Sequence, residues 1–256
     1  MCKLGDQHPY DTLEKYSYPL VTIGVNPRGR TSPLQVGTAF FYRLQNKLFL
    51  ITAYHVVTQC EIYDADDRRR EEPDSLDVWF RDTAEKYRTY RMPLDRYKVK
   101  KCQKATEIPD LDILDVSEHF RDIPVYSVEK FLCHPCGDID NMADHDTMVC
   151  YGFSNIGPNM PVYRDNEITC RPVGFFVCGN TSDLDVTDEQ YSARYYFTVR
   201  TMPQGASGAP VFRVRQKAEG WNQVELVGIQ SGTRHDTERS TIVKQKELVK
   251  MLAQLK

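Results

Sequence analysis

Along the first half of the chain, apolar positions gather in short runs broken by Gly, Pro, Asp and Asn: PLVTIGV, QVGTAFFYR, KLFLITA, LDVWF, KYRTYRM, YKVKKC and LDILDV. The second half continues in the same manner with TMVCYGF, EITCRPVGFFVC, ARYYFTV, APVFRV and VELVGIQS. Tyr, Phe, Val and Thr are frequent in these runs, and few stretches repeat apolar residues at about 3.6 positions, so they read as strands. Many short strands separated by turn residues predict an all-β chain built as barrels or a sandwich. The C-terminus departs from this pattern. In STIVKQKELVKMLAQLK, Leu248, Met251, Leu252 and Leu255 recur at helical spacing and Ser240 stands where a cap would, which predicts a helix over 240–256.

Two polar stretches interrupt the runs. DADDRRREEPD (Asp64 to Asp74) mixes both charges, and NTSDLDVTDEQ (Asn180 to Gln190) is acidic and polar. Both read as solvated loops, with contact to a substrate or partner as the sharper alternative. There is no internal repeat and no low-complexity linker, and the boundary between halves falls in SEHFRDIP.

Composition narrows the classes. The 256 residues are 41% hydrophobic and 27% charged with a net charge of -3, enough for a sizeable core in a soluble protein and without the basic excess of a nucleic-acid binder. The longest apolar run, LFLITAYHVV, is about half a membrane span and holds a histidine. MCKLGDQHPYDTLEKYSYP has no apolar signal region, so a cytoplasmic location with no membrane contact is expected, and the sequon at Asn180 is expected to be idle.

The eight cysteines include one close pair, Cys133 and Cys136 in CHPC. Such a pair can be a redox couple or half of a zinc site. No strand-to-helix junction and no second close ligand pair accompanies it, so free buried thiols are the expectation and no metal or cofactor is assigned.

The chemistry concentrates in TMPQGASGAPVF, where Ser207 follows Gly205 and Ala206 and precedes Gly208. The glycines could mark only a tight turn, or a backbone that approaches a substrate while presenting a hydroxyl. A serine hydroxyl needs a base to accept its proton, and the base needs an orienting acid. His55 lies in LITAYHVV, where an apolar strand ends in Thr-Ala and turns, and PDLDILDV opens a strand with an aspartate. Each alone has a bland structural reading.

Taken in order, GTAFFYR…KLFLITAYHVV, DLDILDV, GASGAPVF and LVGIQSG resemble the chymotrypsin-like (trypsin-like) serine peptidases, from about Pro19 through the C-terminal helix. The resemblance implies two six-stranded antiparallel β-barrels, spanning 19–120 and 121–239, after an N-terminal extension over 1–18 and before a helix over 240–256. It implies a triad of His55, Asp110 and Ser207 with spacings of 55 and 97 residues. Asp110 is favoured over Asp112, because the alternative frame would put Asp115 at a core aliphatic position, where an unpaired carboxylate is costly. The amides of Gly205 and Ser207 would form the oxyanion hole. Thr201 would lie at the base of the specificity pocket, and Gln204 would also bind substrate. Ser231 would lie near the acid, and Gly232 and Thr233 along the substrate backbone. With no acidic residue at the pocket base, a strict Lys/Arg preference is not expected.

Departures from the secreted members refine this. Val56 and Pro203 stand where those members carry cysteines, and Ala206 replaces the aspartate that pairs with a freed N-terminus, so activation by N-terminal insertion is not expected. The chain resembles the cytosolic bacterial branch of the family, sharing GTAFFYR and the region from Tyr151 to Arg164, and no PDZ domain is expected. The implied function is a serine endopeptidase working through an acyl-enzyme on a restricted polypeptide substrate, with an activating or target protein as a further partner. The alternative is a latent or inactive peptide-binding module on the same fold. An α/β-hydrolase is disfavoured by Ala209 at the last elbow position and by the lack of βαβ alternation.

Overall fold

Phe40 and Phe41 are both fully buried, yet they face different cores. Neighbouring side chains on a strand point to opposite faces, so a strand apolar on both must be covered twice. That demand organises the molecule. The computed structural model describes residues 2–4, 12–25, 28, 31–59, 73–81, 87–94, 108–132, 147–153, 162–164, 167–169, 173–177, 194–197, 202, 204–216, 222–234 and 239–255.

Among these, the first large sheet has six antiparallel strands. Its order is β6 (Tyr87–Pro93), β5 (Pro73–Arg81), β2 (Tyr18–Val25), β3 (Thr31–Leu44), β4 (Lys47–Thr52) and β7 (Asp112–Asp115). One face encloses Leu20, Phe41, Leu50, Val78, Met92 and Leu114, closed by Phe120 from the following turn.

The second sheet orders β11 (Val173–Val177), β8 (Thr147–Gly152), β13 (Pro210–Gln216), β14 (Asn222–Arg234), β15 (Arg239–Lys244) and β12 (Tyr195–Phe197). A seventh strand, β1 (Cys2–Leu4), lies on β14. Part of the stretch read as an N-terminal extension therefore belongs to the second sheet. A hairpin of β9 (Val162–Arg164) and β10 (Glu167–Thr169) forms a separate two-stranded sheet. On β13, Val211 turns into the sheet's own core with Met148, Cys150 and Val227, while Phe212 turns out. The outward set from both sheets, including Phe40, Phe49, Ile51, Phe212, Val224 and Ile229, makes one shared core between them.

Two charged pairs pin strand register. Arg91 bonds the fully buried Asp77 with two parallel hydrogen bonds of 2.7 and 2.8 Å across β5 and β6, where the two residues are directly opposite. Arg213 on β13 meets its partner Glu225 on β14 at 2.9 Å, with Gln223 on the second carboxylate oxygen.

The C-terminal helix is shorter than expected. Arg239–Lys244 pairs with β14, and helix α2 covers only Gln245–Ala253, with Leu248 and Leu252 in the shared core. Ser240 is not its cap; its hydroxyl accepts the Met202 N–H at 2.6 Å. Thr241, Ile242 and Val243 are β-branched, and that favours the strand. No helix among the described residues is long and apolar enough to cross a membrane. The strand expected at YKVKKC, most of the loop from Asp64, the sequon and acidic loop from Asn180, Thr201, and the Cys133–Cys136 pair lie outside the described residues. Cys150, inside them, is a free buried thiol.

Candidate active site

Strands β4 and β7 pair Thr52 with Asp112, so the segments leaving that end of the sheet run side by side. One turns into a short helix, α1 (Tyr54–Thr58), which carries His55; the other carries Asp110. Helix α1 is held at several points. Gln59, at a φ of 59°, closes it through its N–H to the His55 carbonyl at 3.0 Å. The Thr22 hydroxyl and the Gln59 side chain both donate to the Val56 carbonyl.

His55 and Asp110 meet twice. The ring Nδ1 lies 2.8 Å from one carboxylate oxygen of Asp110, and the His55 main-chain N–H donates to the other at 3.0 Å. Asp110 is fully buried while His55 keeps 17% of its side chain exposed. Ser231, on β14 of the second sheet, donates its hydroxyl to the same oxygen that faces the ring. Burial alone would raise the Asp110 carboxyl; the His55 charge, then hydrogen bonds from the His55 ring, the Ser231 hydroxyl and the His55 N–H, outweigh it and hold the carboxyl below its usual value. Asp112, the alternative acid, instead accepts the N–H of the adjacent Ile113 at 2.9 Å.

Ser231 reaches the acid through an irregularity. Strands β14 and β15 pair Gln230 with Ile242 and then Thr233 with Ser240, so one extra residue bulges from β14 around Ser231 and Gly232. The Thr241 hydroxyl fills the gap, bonding the Gly232 N–H at 3.2 Å and its carbonyl at 3.1 Å. Bulges of this kind re-aim a side chain, here toward a carboxylate from the other sheet.

Ser207 sits in the tight segment that enters β13. Gly205 and Gly208 have φ of 95° and 90°, values that only glycine adopts readily. The Ala209 N–H donates to the Ala206 carbonyl at 3.0 Å, and the Gly208 N–H to Gln230 at 2.6 Å, one residue before Ser231. A Cβ on Gly208 would fall 2.0 Å from the Thr38 carbonyl, 2.3 Å from Thr52 Oγ1 and 2.9 Å from Ala53 N, so the segment rests on the strand end that leads to His55. The N–H groups of Gly205 and Ser207 make no hydrogen bond among the described residues. Nor, among the described residues, does the Ser207 hydroxyl hydrogen-bond the His55 ring, whose one ring hydrogen bond there is to Asp110.

Of the residues read from the sequence, His55, Asp110 and Ser231 are therefore in direct contact, and Ser207 and Gly205 lie on the adjoining segment. Gln204 is exposed beside them, Gly232 and Thr233 follow on β14, and Thr201 is not described. Two residues were missed. Tyr195 on β12 accepts the Asp110 N–H on its phenol oxygen at 2.8 Å, and Thr38 on β3 bonds the Ser207 segment. Neither stands out in sequence, since a Tyr in ARYYFTV and a Thr in GTAFF look like ordinary strand residues.

These two sheets and the short C-terminal helix define the chymotrypsin-like double β-barrel fold. Among solved structures the chain is similar to the Rv3671c protease from M. tuberculosis in its active form, with 15% identity over 95% of this chain and 82% of that one and a TM-score of 0.51. No family model matches the chain, and no curated protein does.

Proposed function

We propose that this chain is a serine endopeptidase. The observation that carries the reading is the His55 ring, whose Nδ1 is committed to a buried carboxylate, so that Nε2 is the nitrogen left to accept a proton. In this mechanism the Ser207 oxygen attacks a peptide carbonyl carbon while its proton passes to His55 Nε2. Asp110 fixes the ring and balances its charge. The Gly205 and Ser207 amides receive the oxyanion, each donor worth about 2.7–4 kcal/mol in sites of this kind. The C–N bond breaks as His55 returns the proton to the leaving amine. Water, deprotonated by the same nitrogen, then releases the acyl group from Ser207.

Strand β13 pairs with β14 only as far as Ile229, so the edge of β14 at Ser231, Gly232 and Thr233 is where an extended peptide would add as a strand. Gln204 would border the bound peptide, and Thr201 would lie at the base of the pocket. A restricted polypeptide substrate and a cytoplasmic setting complete the reading.

The test is labelling by a fluorophosphonate probe of the wild-type chain, Ser207→Ala and His55→Ala, each checked for folding by circular dichroism. Labelling of the wild type that disappears in both variants is expected. A folded wild type that never labels would replace this reading with a catalytically latent or inactive peptide-binding module on the same fold.

A further inference from the structure

Every polar group of Thr38 is engaged, three of its four bonds reaching across to the second sheet and the fourth bracing it within its own. Its hydroxyl donates to the Gly205 carbonyl at 2.8 Å and accepts the Phe153 N–H at 3.0 Å. The main-chain N–H of Thr38 donates to the Ser207 carbonyl at 2.7 Å, and its carbonyl accepts the Thr52 hydroxyl at 2.7 Å. The residue is fully buried, so none of these bonds competes with water. Thr38 thus grips the Ser207 segment at two carbonyls, two residues apart, and braces that grip against β4 and the end of β8.

The position of the bonds matters. Fixing the Gly205 carbonyl sets the peptide plane that follows Gly205, and fixing the Ser207 carbonyl sets the plane that follows Ser207. The two N–H groups proposed to receive the oxyanion belong to these same residues, each on the other side of its Cα. Gly205 has no side chain to restrain it and sits at a φ of 95°. Without an anchor on its carbonyl, rotation about its backbone would be open and the Gly205 N–H could swing away. Ala206, between them, has only a methyl group, buried against Gly152, and so no polar side chain of its own with which to hold the turn.

We infer that the Thr38 hydroxyl is a positioning residue for the oxyanion-binding amides, holding the Gly205 peptide in its working orientation from the opposite sheet. This rests on the serine-peptidase reading above. Thr38 touches no substrate; it acts through Gly205. Preorganised donors lose much of their effect when displaced by an ångström or so.

The experiment compares wild type, Thr38→Val and Thr38→Ser. Valine keeps the shape and removes both hydroxyl bonds, while serine keeps the hydroxyl. For the fluorophosphonate reaction, the maximal labelling rate and the half-saturating probe concentration are measured separately, at a temperature where all three are folded. Amide hydrogen exchange is followed over residues 204–209. The valine variant is expected to label about 10- to 100-fold more slowly at saturation with an unchanged half-saturating concentration. Its exchange over 204–209 should be faster, and serine should restore both. A valine variant that labels and exchanges like wild type overturns the inference, as does a serine variant as impaired as valine. If the wild type never labels, the peptidase reading falls, and exchange alone judges the clamp: faster in valine and restored in serine upholds it, and no change overturns it.

Discussion

Tyr195 and Asp110 come from different sheets and meet where the Asp110 main-chain N–H donates to the phenol oxygen at 2.8 Å. The carboxylate of the same aspartate takes the Ser231 hydroxyl, again from the second sheet. In the opposite direction, Thr38 of the first sheet holds the Ser207 segment of the second. Each sheet therefore fixes a candidate site residue carried by the other, and this arrangement exists only where the two are docked.

Tyr195→Phe removes the phenol oxygen while keeping the ring in the shared core. The Asp110 N–H is then left buried without this acceptor, which typically costs about 1–3 kcal/mol. Urea unfolding should show a loss of that size, with a several-fold drop in labelling as the acid loosens. An unfolding midpoint equal to wild type would mean that the bond contributes nothing to docking.

Asp110 also sets a dependence on pH. Its carboxyl lies below the usual value when folded and returns to about 3.9 in the unfolded chain. The stabilisation is therefore complete above about pH 4 and is lost as the pH falls through the folded value, because the folded state must then take up a proton that the unfolded chain already holds. Asp110→Asn should be less stable than wild type at neutral pH and should lose less on acidification. Unfolding curves between about pH 2 and 7 test this, and parallel curves for the two proteins would contradict it. Under the proposed mechanism, fluorophosphonate labelling of the asparagine variant should fall by about ten-thousand-fold.

Gly208→Ala probes the seat of the Ser207 segment. The added Cβ would meet main-chain and Thr52 atoms at 2.0 to 2.9 Å, in a backbone conformation with a φ of 90°. Neither the clash nor the strain is relieved by turning a flexible side chain. A destabilisation of roughly 3 kcal/mol or more is expected in urea, with labelling lost even where the protein remains folded. An unaltered midpoint would mean that the segment does not rest on the end of β4.

Much of this was legible in the sequence because strand chemistry is local. The apolar runs around Phe40, Leu50 and Val211 became strands, since β-branched and aromatic residues between turn residues have few other options. His55 and Asp110 could be read from ordered motifs, and the register of Thr52 with Asp112 brings them together. What depends on distant contacts was not legible. Ser240 looked like a cap because the pairing of Thr241–Val243 with β12 and β14 leaves no local trace. Cys2–Leu4 is too short and too polar to announce itself as a strand on β14. Thr38 and Tyr195 acquire their roles only across the interface between sheets.

The bulge in β14 sets a condition on length as well as on residue type. A strand alternates its side chains with a period of two, and the extra residue between Gln230 and Thr233 shifts that phase by one step. Deleting a single residue there would restore an unbroken ladder with β15 and improve the regularity of the sheet. Both flanks would keep their facing, since Gln230 and Thr233 already lie opposite Ile242 and Ser240 on one face of β15, but a single residue would stand where Ser231 and Gly232 now turn aside, and the hydroxyl now shared with Asp110 would lose the backbone that aims it. At this one step along the chain, the better-formed sheet is the one that loses its hold on the acid.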